Sequence, residues 1–164
     1  MEIHNRKITR LKDYDYSKPG AYFITICTQN RKCLLWENVG AITNRPHPSL
    51  SDTGKIVEQC ILNISKHYPM ISVDHYVVMP NHVHLLLRID TDPEGRLIIA
   101  PTISTVVRLM KRAATRQIGG PIWQRGFHDH IIRGEQDYLK IWEYIENNPV
   151  KWLEDCFYNE QAGD

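Results

Sequence analysis

Apolar and polar positions along this chain repeat with two different periods, and the periods separate strands from helices. "AYFITICT" (21–28) is rich in aromatic and β-branched residues and reads as a strand, with "RKCLLWE" (31–37) as its hairpin partner. Residues 38–51 hold two prolines and read as a loop. Ser51 or Asp52 caps a helix expected over 53–67, where Ile56, Cys60, Ile61 and Ile64 keep helical spacing. "MISVDHYVVM" (70–79) and "HVHLLLRI" (82–89) read as two strands joined by a turn at Pro80-Asn81. A loop over 90–101 leads to a helix at 102–118, with Ile103, Val106, Val107 and Met110 as its apolar stripe. A last strand is expected at 122–133 and a third helix at 135–148, stopped by Pro149.

The order β-α-β-β-α-β followed by α is that of an α+β protein. Its first six elements give the ferredoxin-like, split-βαβ antiparallel sheet. Two crossover helices cover one face of such a sheet, so the additional C-terminal helix is the expected cover for the other. The 164 residues suffice for one domain with a real core. We divide them into a polar N-terminal arm (1–20), a domain over 21–152 and a short tail (153–164).

Two histidines interrupt the apolar run "VVMPNHVHLLLRI" (77–89). Strand alternation places Val83, Leu85, Leu87 and Ile89 on one face and His82, His84, Leu86 and Arg88 on the other. The apolar face should pack on the crossover helices, and the histidine face should meet the C-terminal helix. Two imidazoles at i and i+2 on a strand read either as paired metal ligands or as two satisfied histidines at a strand start. A second such pair, His128 and His130, lies in a more polar segment and reads as exposed or substrate-facing.

On a helical wheel of 135–148, Tyr138, Ile141, Trp142 and Ile145 form an apolar stripe expected to be core. Tyr144 flanks it, and Asn148 lies four residues on along the same edge. If this helix covers the histidine face, two imidazoles and an amide oxygen would surround a divalent cation, with a phenol beside them. That set suits phosphodiester cleavage: the cation stabilises charge on the phosphate and the phenol attacks. Taken singly, Tyr144 and Asn148 would pass for a surface tyrosine and a helix-end residue.

Net charge is only +1, so bulk charge announces no polyanionic partner. Between residues 101 and 134, however, six Lys/Arg face one acid, Asp129. Arg108, Lys111, Arg112 and Arg116 form a stripe opposite the apolar one on their helix, and Arg125 follows. This is either a solvated face or a phosphate-binding one, and the lack of acids on the helix favours the second. The N-terminal Arg6, Lys7, Arg10 and Lys12 read as a second contact or a mobile arm. Trp123, Phe127 and His128 are candidates to stack on unpaired bases, with Trp123 reading equally well as core. The four cysteines lack C-x-x-C spacing and read as reduced thiols of a cytoplasmic protein. No apolar run reaches membrane-spanning length.

"YVVMPNHVHLLL", "WQRGFHDHIIR" and "YIENNPVK", together with "AYFITICTQNR", resemble the single-tyrosine HUH transposases, above all the REP-associated tyrosine transposases and small insertion-sequence enzymes. The resemblance runs over about residues 20–152. It implies His82 and His84 as metal ligands, Asn148 as the third and Tyr144 as the nucleophile. It also implies cleavage of single-stranded DNA near a hairpin through a 5′-phosphotyrosine link, with Mg²⁺ or Mn²⁺. Hairpin DNA is then the expected partner of the 101–134 cations and of His130. Family members act as monomers or as homodimers, and the sequence leaves both open. The competing readings are a non-catalytic nucleic-acid-binding protein of the same fold and a metal hydrolase that activates water.

Overall fold

The computed structural model describes residues 11–37, 49–94 and 101–152. Four antiparallel strands form one sheet: β1 (Gly20–Cys27), β2 (Ile71–Val78), β3 (His82–Ile89) and β4 (His128–Ile131), in the order β2-β3-β1-β4. Helix α1 (Asp52–Leu62) and the short α2 (Ile64–His67) join β1 to β2. Helix α3 (Ile103–Ile118) joins β3 to β4, and α4 (Glu135–Asn147) follows. This is the ferredoxin-like sheet that the element order predicts, with the added C-terminal helix in place.

The faces divide as alternation dictates. Tyr22, Ile24 and Ile26 of β1 join Val83, Leu85 and Leu87 of β3 in the main core, against Val57 and Ile61 of α1 and Val106 and Met110 of α3. Each fully buried aliphatic side chain contributes about 1.5–3 kcal/mol, so this face dominates the stability. Local signals set the helix ends. Ser51 Oγ accepts from Gly54 N at 3.0 Å to cap α1, and it donates to Leu34 O at 2.6 Å. Thr102 Oγ1 accepts from Thr105 N at 3.2 Å to cap α3, which ends at Gly119 in the left-handed region (φ 89°).

Three expectations need correction. Residues 31–37 are not a hairpin partner of β1, because β3 and β4 occupy both of its edges. Asn30 and Arg31, each at φ 55°, turn the chain away instead, leaving only an isolated bridge between Trp36 and Leu50. The helix expected over 53–67 breaks at Asn63 into α1 and α2. The last strand is shorter than 122–133. Trp123 bridges Thr28, the chain then departs around Gly126 (φ 77°), and ladder pairing resumes only at His128.

The second sheet face is covered more thinly. Of the α4 side chains only Ile145 is buried, so Tyr138, Ile141 and Trp142 are not the core stripe that their spacing suggests. Polar and ring contacts hold the helix instead. Tyr138 Oη donates to Asp74 Oδ2 at 2.8 Å, where a β-bulge between Val73 and His75 pushes Asp74 out of register. The Trp142 ring stacks on His75 at 4.3 Å, and His75 Nε2 meets Glu146 Oε2 at 2.8 Å. A small second cluster of Trp36, Met79 and Trp152 packs nearby, with Trp36 Nε1 donating to Val78 O. No disulfide joins Cys27, Cys33 and Cys60, and Cys156 lies outside the described residues. Among the described residues no helix is long and apolar enough to cross a membrane.

Candidate active site

β3 presents His82 and His84 on the face that α4 covers, and both rings are buried (0% and 1% exposed). Their Nε2 atoms converge to 3.0 Å. Each outer nitrogen is tied down by a neighbouring side chain. His82 Nδ1 lies 2.8 Å from Asn81 Oδ1, and His84 Nδ1 lies 2.8 Å from Thr25 Oγ1. Asn81 is held in turn by its Nδ2, which donates to Arg31 O at 3.3 Å. Thr25 reaches the site because the β1–β3 register sets it directly opposite His84.

Burial dominates the electrostatics. It pulls the His84 imidazole down to about 3 from its ordinary 6.5. It also holds His82 well below the usual range, helped by the second imidazole and by the positive charge of Arg31. Both rings are therefore neutral at physiological pH, the form in which imidazole offers a lone pair.

Helix α4 delivers the remaining groups. The Tyr144 ring stands edge-on to His84 at 5.3 Å and to Phe23 at 6.0 Å. Tyr144 keeps 40% of its surface exposed, so a large substrate can reach it. Asn148, at the C-cap of α4, is buried beside His82. Its Oδ1 makes no well-formed hydrogen bond, yet it lies close enough to favour the charged form of His82. A buried carbonyl oxygen left so is costly unless something else binds it. The structure thus brings together His82, His84, Tyr144 and Asn148, four residues that the sequence could only place on two separate elements. Two nitrogens and one amide oxygen are the available donors. Among the described residues no cluster of three His, Cys, Asp or Glu side chains gathers.

The basic residues lie elsewhere. Helix α3 packs on the opposite sheet face, so its stripe is separated from the histidines by the sheet. Arg108, Arg112 and Arg116 are exposed there, as is Arg125 in the loop before β4. Lys111 differs: its half-buried ammonium donates to the carbonyls of Gln124 and Gly126, both at 2.8 Å, and so pins that loop to α3. His130 is exposed but bonds Asp137 Oδ2 at 2.8 Å, and Asp137 also accepts from Arg133 N at the start of α4. Lys12 is exposed, whereas Arg6, Lys7 and Arg10 lie outside the described residues.

Sequence reasoning missed Thr25, Asn81, Phe23 and Arg31. Asn81 sits beside His82 in the run "PNHVH", and that adjacency is the signal for it, although its place after Pro80 reads as a turn. Thr25 carried no signal, since only the pairing of β1 with β3 brings it to His84.

Comparison with known proteins gives the family and the fold. Residues 20–148 match the family described as "Transposase IS200 like". An uncharacterized protein of Haemophilus influenzae is 37% identical over 175 residues, covering 95% of this chain and 94% of the relative. A REP-associated tyrosine transposase of Escherichia coli is 29% identical over 137 residues, covering 83% of this chain and 70% of the relative. The fold is shared with a solved REP-associated tyrosine transposase bound to a REP hairpin. That likeness has TM-score 0.63 and 24% identity, and spans 87% of this chain and 74% of the other. With most of its length inside the family match, and with a four-stranded sheet of the same architecture, this chain belongs to the IS200-like transposase family.

Proposed function

We propose that this protein cleaves and rejoins single-stranded DNA beside a hairpin, with Tyr144 as nucleophile and a divalent cation held by His82, His84 and Asn148. The observation that carries this reading is the meeting of an exposed phenol with two buried, neutral imidazoles on the sheet face that α4 covers. The donor set fits a cation on three counts. The Nε2 atoms are 3.0 Å apart, and two adjacent ligands about 2.1 Å from an octahedral ion would be separated by about 3.0 Å. Side-chain partners on both outer nitrogens orient the rings, as is usual for metal-bound histidine. The buried Asn148 oxygen supplies a third donor. By ligand type alone imidazole would favour other transition metals, so Mg²⁺ or Mn²⁺ rests on the family resemblance.

When bound, the cation would supply electrostatic stabilisation of the scissile phosphate. Tyr144 loses its proton and its oxygen attacks phosphorus. The new bond links Tyr144 to the 5′ phosphate, and the bond to the 3′ oxygen breaks, so that this oxygen leaves as a hydroxyl after taking up a proton. The phosphotyrosine conserves the bond, which lets a 3′-hydroxyl strand reverse the reaction and be joined. A free phenol has a pKa of about 10, so the attack needs positive charge close to its oxygen. Arg108, Arg112, Arg116 and Arg125 would hold phosphates of the flanking DNA, with His130 nearer the start of α4. Because α3 lies across the sheet from Tyr144, that DNA must pass around a sheet edge.

The test is a 3′-labelled single strand carrying a hairpin, incubated with the protein and Mn²⁺ and resolved under denaturing conditions. The label should migrate with the protein, and chelator or Tyr144→Phe should abolish the adduct. Survival of the adduct in Tyr144→Phe would exclude this nucleophile. Hairpin binding with no adduct from the wild type would point instead to a non-catalytic DNA-binding protein.

A further inference from the structure

We propose that Thr25 is a positioning residue that lets His84 exchange one tautomer for the other when a cation binds, while Asn81 locks His82 in a single tautomer. The inference rests on the cation-binding reading above and concerns residues that reading leaves out.

The hydrogen-bond chain assigns each hydrogen a place. Asn81 Oδ1 can only accept, and its orientation is set by the amide nitrogen bonding to Arg31 O. The 2.8 Å contact is met by a hydrogen on His82 Nδ1, and on that assignment its Nε2 keeps the lone pair. The 3.0 Å contact between the two Nε2 atoms then needs a hydrogen from His84. With that hydrogen on Nε2, His84 Nδ1 is bare and accepts from the hydroxyl of Thr25. The run Thr25–His84–His82–Asn81 is thus one directed chain, every member of which is at most 5% exposed.

Cation binding requires the lone pair of both Nε2 atoms. His82 already offers its own. His84 can do so only by releasing the hydrogen from Nε2 to solvent and regaining one at Nδ1, with no net change in protons. The partner of Nδ1 must then turn from donor to acceptor. A hydroxyl does both by rotating about one bond. A methyl group can do neither, and an amide would need to flip. Thr25 is the group opposite His84 in the strand ladder, so the β1–β3 register itself supplies this adaptable partner.

Two measurements test the inference. Long-range ¹H–¹⁵N correlation spectra of the chelator-treated wild type should show His82 as the Nδ1–H tautomer and His84 as the Nε2–H tautomer. Addition of Zn²⁺, as a diamagnetic probe, should convert His84 to Nδ1–H and leave His82 unchanged. Titration with Mn²⁺ or Co²⁺ should then show Thr25→Val weakened about 10–100-fold, the usual cost of losing an outer partner of a metal-bound histidine. Thr25→Ser, which keeps the hydroxyl, should bind close to wild type. A merely structural role for Thr25 would shift the melting temperature and leave both readouts unmoved. If Thr25→Val does not fold, the wild-type spectra decide. Equal affinity of wild type and Thr25→Val, or His84 already in the Nδ1–H form without cation, would overturn this inference alone. Absence of any cation binding by the wild type would overturn it together with the reading beneath it.

Discussion

Acidification from pH 7 to pH 5 should destabilise this protein by way of its buried imidazoles. In the folded chain the His84 pKa is about 3, against 6.5 when free. A group whose folded pKa is depressed gives stability that is complete above the unfolded value and lost as pH falls toward the folded one. The window therefore opens near 6.5 and continues toward 3. From 6.5 down to pH 5 the unfolded chain gains a proton that folded His84 refuses, at about 1.4 kcal/mol per pH unit, or ~2 kcal/mol in all. Any folded value below about 4 gives the same result at pH 5, because the folded ring is then still neutral. His82 is shifted in the same direction and adds to the loss. For a chain of this length ~2 kcal/mol is about 4–8 °C in Tm. The assay is urea or thermal unfolding at both pH values with chelator present, comparing wild type with His84→Gln. The variant is less stable at pH 7, but its further loss to pH 5 should be about 2 kcal/mol smaller than that of wild type. Carboxylates titrate alike in both proteins and cancel. Equal losses in the two proteins would refute the claim that His84 is buried and neutral.

Other outcomes follow from single contacts. A Cβ at Gly54 would overlap the Leu35 carbonyl, and backbone cannot move aside as a side chain can. Gly54→Ala should therefore cost about 1–3 kcal/mol in urea unfolding, although alanine is the better helix former. Replacing Arg108, Arg112 and Arg116 together by Gln should lower the slope of log affinity against log salt for hairpin DNA by about 2–3. An unchanged slope would show α3 to be only a solvated face.

How much was legible beforehand depends on the range of the forces involved. Periodicity found each ladder strand and long helix, and hence the element order, because side-chain alternation and helical repeat are local. It also placed His82 and His84 on one face, and Tyr144 and Asn148 on one helical edge. It failed where occupancy elsewhere decided the outcome. "RKCLLWE" has strand composition, but β1 had no edge left for it. The α4 stripe has core spacing, yet Tyr138 and Trp142 serve polar and ring contacts with β2.

The amino-acid sequence by itself determined the element order, the face on which the imidazoles stand and the helical edge shared by phenol and amide. Only the tertiary structure decided that these two edges meet, that the arginine stripe of α3 lies across the sheet from them, and that Thr25 and Asn81 are the outer partners of the two rings. The physical reason is strand register. A pairing of β1 with β3 that joins residues 59 apart depends on loop closure and core packing over the whole chain, and no short window of residues encodes it.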